Sequence, residues 1–147
     1  MTTLVPPELI NDLEDADIEN TSSVTGATVK DALDTLDGLT DPTVNIIGSI
    51  GGGTQDIDLD LGRAISGTVD TSTTTFTFSN PRSTGNEDGF TLYLTNGGSQ
   101  TVNWPASVDW AGGTAPTLTT AGFDLLVFTT IDGGTIWHGA LASGDSK

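Results

Sequence analysis

Gly122-Phe123-Asp124-Leu125-Leu126-Val127-Phe128-Thr129-Thr130 runs directly into Ile131-Asp132-Gly133-Gly134-Thr135-Ile136-Trp137-His138-Gly139, and this stretch decides the fold. Two runs rich in aliphatic, aromatic and β-branched residues flank an Asp-Gly-Gly turn, the pattern of a β-hairpin. Working backwards, Trp104-Pro105, Trp110-Ala111-Gly112-Gly113 and Ala115-Pro116 fill the preceding segment, so all three tryptophans lie between 104 and 137. Prolines 105 and 116 stiffen it.

Strand-like runs continue towards the N-terminus. Candidate strands fall at 64–69, 74–79, 89–96 and 100–104, ahead of the hairpin runs at 123–131 and 134–141. Asn80-Pro81, Gly85-Asn86 and Asn96-Gly97-Gly98 separate them as turns. Phe76 and Phe78 share one face by alternation, as do Phe90, Leu92 and Leu94. Asp56-Ile57-Asp58-Leu59-Asp60-Leu61 also alternates, which predicts Ile57, Leu59 and Leu61 facing inward and three Asp outward. The β region begins near Val44, and no internal repeat is evident. The expected fold is mainly β: a small antiparallel β-sandwich or barrel, preceded by an extended acidic N-terminal arm and one short helix.

Charge divides the chain at the same place. Residues 1–41 carry ten carboxylates and one Lys, and the other ten carboxylates are spread over 42–147 with three basic residues. We therefore read 1–42 as an acidic arm and 43–147 as a Gly/Thr-rich β-domain. Pro6-Pro7 keep the start extended. Leu4, Val5, Leu9, Ile10, Leu13 and Ile18 are the apolar residues of the arm and its candidate contacts with another surface. Thr28 is a helix N-cap with Asp31 near the first turn, and Val29, Ala32, Leu33 and Leu36 follow on one helical face. The helix spans about 28–37, with Gly38 past its end. So short a helix needs a docking partner, which is the β-domain, the same helix in other subunits or a different protein; in the second case Val29, Leu33 and Leu36 are the candidate subunit-packing residues.

Composition narrows the function. Hydrophobic residues make up 35 %, a thin supply for a single copy, so burial borrowed from neighbouring subunits is expected. The net charge of −16 argues against nucleic acid and against anionic membrane surfaces, which both need clustered Lys and Arg. There is no cysteine, hence no disulfide and no thiolate site. Residues 1–20 lack a basic-then-apolar leader, so synthesis in the cytosol is expected.

Nothing in the sequence marks an enzyme. His138 is the only histidine, with no Gly-x-Ser-x-Gly elbow to pair with. The many carboxylates fall on solvent-facing alternation or in the arm. Asp56-x-Asp58-x-Asp60 invites a calcium reading, but Leu61 stands where a loop glycine belongs and Gly67 where the bidentate Glu belongs. Gly51-Gly52-Gly53 has no following Gly-Lys-Ser/Thr and is not a phosphate loop. No catalytic residue, metal or cofactor is expected. Trp104, Trp110 and Trp137 are either core aromatics or stacking platforms for a sugar, and packing is the expected role in so small a domain.

The order Asn103-Trp104-Pro105, Val108-Asp109-Trp110, Gly112-Gly113, Ala115-Pro116-Thr117-Leu118, Gly122 and Asp124-Leu125-Leu126-Val127-Phe128, closed by Asp132-Gly133-Gly134-Thr135-Ile136-Trp137, resembles tailed-bacteriophage virion-surface domains over about 75–141. Val24 to Leu36 is similar to short helical segments before phage fibre heads. The resemblance implies a homotrimeric, non-enzymatic structural protein of the virion. The chain is short, without an extended shaft, which favours a capsid decoration (cement) or head-fibre protein on the capsid surface. Its partners would be the major capsid protein, reached through the arm, and further copies of itself. The alternative is a short tail-fibre or receptor-binding tip that recognises a host surface glycan.

Overall fold

The computed structural model describes residues 44–146. The arm residues Leu4 to Ile18 and the helix expected at 28–37, with Val29, Leu33 and Leu36, lie outside the described residues.

Among the described residues, nine strands form two sheets: β1 (Val44–Ile50), β2 (Gly53–Asp58), β3 (Ala64–Val69), β4 (Thr74–Ser79), β5 (Asp88–Thr95), β6 (Val102–Asn103), β7 (Val108–Trp110), β8 (Phe123–Thr130) and β9 (Trp137–Ser146). The larger sheet has the order β1-β3-β5-β8-β9-β7 and the smaller one β2-β4-β6. Odd and even strands alternate between the sheets from β1 to β6, and neighbours within each sheet are parallel. The chain therefore winds as a flattened coil, one strand per sheet per turn. Only β5-β8 and β8-β9 are antiparallel. Together with β7, which lies parallel to β9, they complete the larger sheet.

This corrects the expectation of an antiparallel sandwich. The domain is mainly β with two packed layers, but the larger sheet is mixed and the smaller one is parallel. The winding is a structural repeat that the sequence does not display. Val44 lies opposite Ala64 and Gly53 opposite Thr74, a rung of 20 or 21 residues. The next rung is longer by the loop 80–87, with Ala64 opposite Thr91 and Thr74 opposite Val102. The loop insertion breaks the period, so no sequence repeat survives it. Sequence alternation fixes which face of a strand is buried but not the direction of its neighbour.

One core joins the layers. Ile50, Ile65, Val69, Phe90, Leu92, Leu94, Leu126 and Phe128 from the larger sheet meet Ile57 and Phe76 from the smaller. The inward set Phe90, Leu92, Leu94 is as alternation predicts, and Phe78 packs against the core beside Phe76. The run 56–61 departs from alternation at Asp58, which caps a single 3-10 turn over Leu59–Leu61 by accepting from the Asp60 N–H at 3.0 Å. Leu59 stays buried while Leu61 swings out to 61 % exposure. The last strand starts at Trp137, after the turn residues Thr135 and Ile136, and β7 is a strand that its short length hid in the sequence.

Gly51 turns the chain from one sheet to the other. A side chain there would collide with the Thr71 hydroxyl and lie 2.8 Å from the Ser72 nitrogen.

The outward positions of the larger sheet fall into register across four strands. One row is Val44, Ala64, Thr91 and Val127; the next is Ile46, Ser66, Tyr93 and Leu125; the third is Ser49, Thr68, Thr95 and Phe123. Each row alternates with a buried one, such as Ile65, Leu92 and Leu126.

Candidate functional site

The three tryptophans converge on one aromatic cluster. Trp137 is 1 % exposed and meets Phe78 and Phe90 edge-on, with ring centroids 5.4 and 5.6 Å apart. Trp110 ends β7 and packs edge-on against Phe128 at 5.5 Å. Trp104 is half-buried. It stacks on Phe76 at 5.1 Å and meets Trp110 at 5.4 Å, bridging the smaller sheet to the larger. Offset and edge-on contacts are the favourable geometries for such rings. The indoles of Trp110 and Trp137 are therefore interior walls, and Trp104 alone keeps a partly open edge. Gly139 makes room for this arrangement. A Cβ there would sit 2.8 Å from the Trp110 ring and 2.9 Å from Val108.

The polar chemistry gathers at the end of the coil where the loop 80–87 lies. Arg63 precedes β3 and Asp88 opens β5. Nε of Arg63 donates to Oδ1 at 2.8 Å and Nη2 to Oδ2 at 3.0 Å, while Nη1 donates to the Leu59 carbonyl at 2.8 Å. The Arg82 and Gly89 N–H groups also donate to the Asp88 carboxylate, at 2.7 and 2.9 Å. Burial alone would raise the Asp88 pKa. Hydrogen bonds from Arg63, Arg82 and Gly89, with the Arg63 charge, outweigh burial and hold it below its ordinary value.

Beside this pair lies an open depression of about 460 Å³, lined among others by Arg63, Arg82, Asn86, Glu87 and Thr129. Arg63 and Arg82 are the two Lys/Arg side chains among the described residues. Glu87 and Asp88 balance them, so the depression is locally neutral in an acidic protein. Loop 80–87 reaches the hairpin turn through the Gly85 N–H, which donates to the Ile131 carbonyl at 3.0 Å.

The hairpin turn is built around Asp132. Its Oδ1 accepts from the Ile136 N–H at 3.0 Å and the Thr130 hydroxyl at 2.8 Å. These bonds, the Ile136 N–H foremost, lower its pKa. At the opposite end of β8, Asp124 is fully buried and accepts from the Thr119 N–H at 2.6 Å and the Thr119 hydroxyl at 2.7 Å.

The remaining candidates are surface features. His138 Nδ1 lies 4.0 Å from Asp109 Oδ2, both well exposed, on paired positions of β9 and β7. Asp56 accepts from the Thr77 hydroxyl at 2.7 Å and from that of Ser79. Asp58 accepts from the Asn80 amide at 2.8 Å. These acids tie one rung of the coil to the next. Among the described residues no group of three or more His, Cys, Asp or Glu is placed to hold a metal ion.

Sequence reasoning missed the Arg63–Asp88 pair. The signal was present: Asp88 has the same alternation phase as Phe90, Leu92 and Leu94, so its carboxylate points inward and requires a partner. Asp124 stands in the same relation to Leu126 and Phe128.

No family model, curated protein or solved structure matches the chain.

Proposed function

We propose that this chain is a structural protein of a bacteriophage virion, a homotrimeric capsid decoration protein. In this reading the acidic arm, through Leu4, Val5, Leu9, Ile10, Leu13 and Ile18, binds the major capsid protein. The β-domain projects as a knob, and Val29, Leu33 and Leu36 join the subunits. Three arms on three equivalent sites turn modest contacts into firm attachment.

One observation supports this reading above others. The residues that carry the resemblance have packing roles: Trp104, Trp110 and Trp137 share one cluster, and Asp132 to Ile136 form its closing turn. A domain whose distinctive residues serve its own rigidity suits a structural part. The test is removal of residues 1–22 followed by mixing with capsids that lack the protein. Loss of capsid binding, with the circular dichroism of the β-domain unchanged, is the expected result. Full decoration by the truncated chain would end the proposal.

The depression beside Arg63 and Arg82 favours a second reading, a receptor-binding tip. Its neutral, hydrogen-bonding lining suits a host surface glycan. Glycan-array binding that Arg82→Ala removes would move the assignment from the capsid to the tail.

A further inference from the structure

We propose that the part of the larger sheet's outer face formed by β1, β3, β5 and β8 is a self-association surface, covered by a second copy of this chain. The observation is the distribution of charge. The three rows on β1, β3, β5 and β8 place twelve side chains on one face, and none of them is charged. The chain as a whole carries twenty acidic residues against four Lys and Arg. On the outer face of the smaller sheet, by contrast, Asp56 stands at the surface.

The patch also exposes large apolar groups. Ile46 is 76 % exposed, Val44 50 % and Tyr93 38 %. Tyr93 stacks on Phe123 with centroids 5.8 Å apart. The pair borders a shallow depression of about 170 Å³ whose walls include Ile46, Ser66 and Thr68. Val127 and Leu125 extend the apolar surface across β8. Contiguous exposed apolar surface of this kind marks an interaction site.

Charge complementarity selects the occupant. A different protein recognising so acidic a molecule would gain most from basic groups meeting its carboxylates. The three rows offer it none; the nearest charged groups, Asp70 beside Ser49 and the His138–Asp109 pair on β9 and β7, stand at the patch's border. Copies of a polyanion repel one another everywhere except where their surfaces are neutral. A patch lacking charge, with apolar residues interleaved with Ser and Thr hydroxyls, complements itself. Two such sheets can pack face to face, as the layers of a sandwich do, and three can meet about a common axis. The inference rests on the homo-oligomeric part of the proposed function and not on its capsid part.

The test measures the free full-length protein, without capsids, by sedimentation velocity over a range of concentrations. Wild type should sediment as an oligomer. Ile46→Asp and Tyr93→Asp each place a carboxylate in the contact and should weaken association by about tenfold or more. Thr54→Asp, on the outer face of the smaller sheet, should leave it unchanged. Thermal melts establish that each variant is folded. Since the chain has no cysteine, Ser66→Cys supplies a single thiol, whose maleimide labelling should slow as protein concentration rises. A monomeric wild type overturns the proposal, as does an oligomer that neither face variant weakens. A monomer whose capsid binding is lost in Ile46→Asp also overturns it, and assigns the face to the shell. Oligomers that fail to bind capsids leave the face assigned and reject the capsid reading alone.

Discussion

Arg63 grips Asp88 with two parallel hydrogen bonds, 2.8 and 3.0 Å long, across the junction of two rungs of the coil. Asp88 contributes a nearly inaccessible carboxylate and Arg63 a guanidinium side chain that keeps 40 % of its surface in water. The carboxylate points into the core side of β5 and depends on its donors. Arg63→Leu should therefore destabilise the domain. Loss of one partner of a buried pair costs about 3–5 kcal/mol, and the exposed guanidinium brings the expectation down to roughly 1–3 kcal/mol. Urea denaturation measures this, and an unchanged midpoint would refute the structural role of the pair.

Asp88 also predicts a pH dependence. Its folded pKa lies below the ordinary value of 3.8, so the folded state binds its proton less readily than the unfolded state. The corresponding stability is present above the unfolded pKa and is lost as pH falls through the folded one. Wild type should lose stability below about pH 4. Asp88→Asn should start less stable and show a shallower fall over the same range. Parallel slopes for the two proteins would place the acid sensitivity elsewhere.

Gly139 and Trp110 make a second test of packing. Gly139→Ala drives a methyl group against the indole and Val108. Overpacking of this kind costs about 1–3 kcal/mol. The indole is displaced from Phe128, so tryptophan emission should shift together with the denaturation midpoint. A stable Gly139→Ala protein with native emission would contradict the close approach.

The indoles differ in depth, and their truncations should differ too. Trp137→Ala removes a ring that is 1 % exposed and should cost about 3–5 kcal/mol. Trp104 is half-buried, so Trp104→Ala should cost roughly half as much, in proportion to the area it covers. Equal costs would mean that Trp104 has a larger structural role than its burial indicates.

These residues also mark what could be read from sequence. Alternation put Phe76 with Phe78 on one face and Phe90, Leu92 and Leu94 together on another, because burial of one face imposes a period of two, and the structure turns these faces inward. The hairpin was legible from Asp132-Gly133-Gly134, since the turn needs positive φ at both glycines, observed at 72° and 81°. Parallel winding was not legible, because β1 could pair with β3 in either direction without changing a single inward residue. Leu61 was misplaced because Asp58 can cap a turn as readily as it can face water from a strand. The Arg63–Asp88 contact spans 25 residues and depends on which strands become neighbours, so only the inward phase of Asp88 announced it.

The row of Asp56, Asp58 and Asp60 gives the last prediction. Spacing alone suits calcium, which takes several carboxylate oxygens. In the fold, Asp56 is engaged by the hydroxyls of Thr77 and Ser79, and Asp58 by the Asn80 amide and the Asp60 N–H. A cation would have to displace these donors and separate the two rungs they join. Calcium should therefore raise the melting temperature no more than sodium chloride of equal ionic strength. Asp56→Ala should lower it modestly, because exposed hydrogen bonds to a charged group contribute little net stability beyond about 1 kcal/mol. A melting temperature that rises with calcium in the wild type but not in Asp56→Ala would show that the carboxylates exchange their hydroxyl partners for the ion.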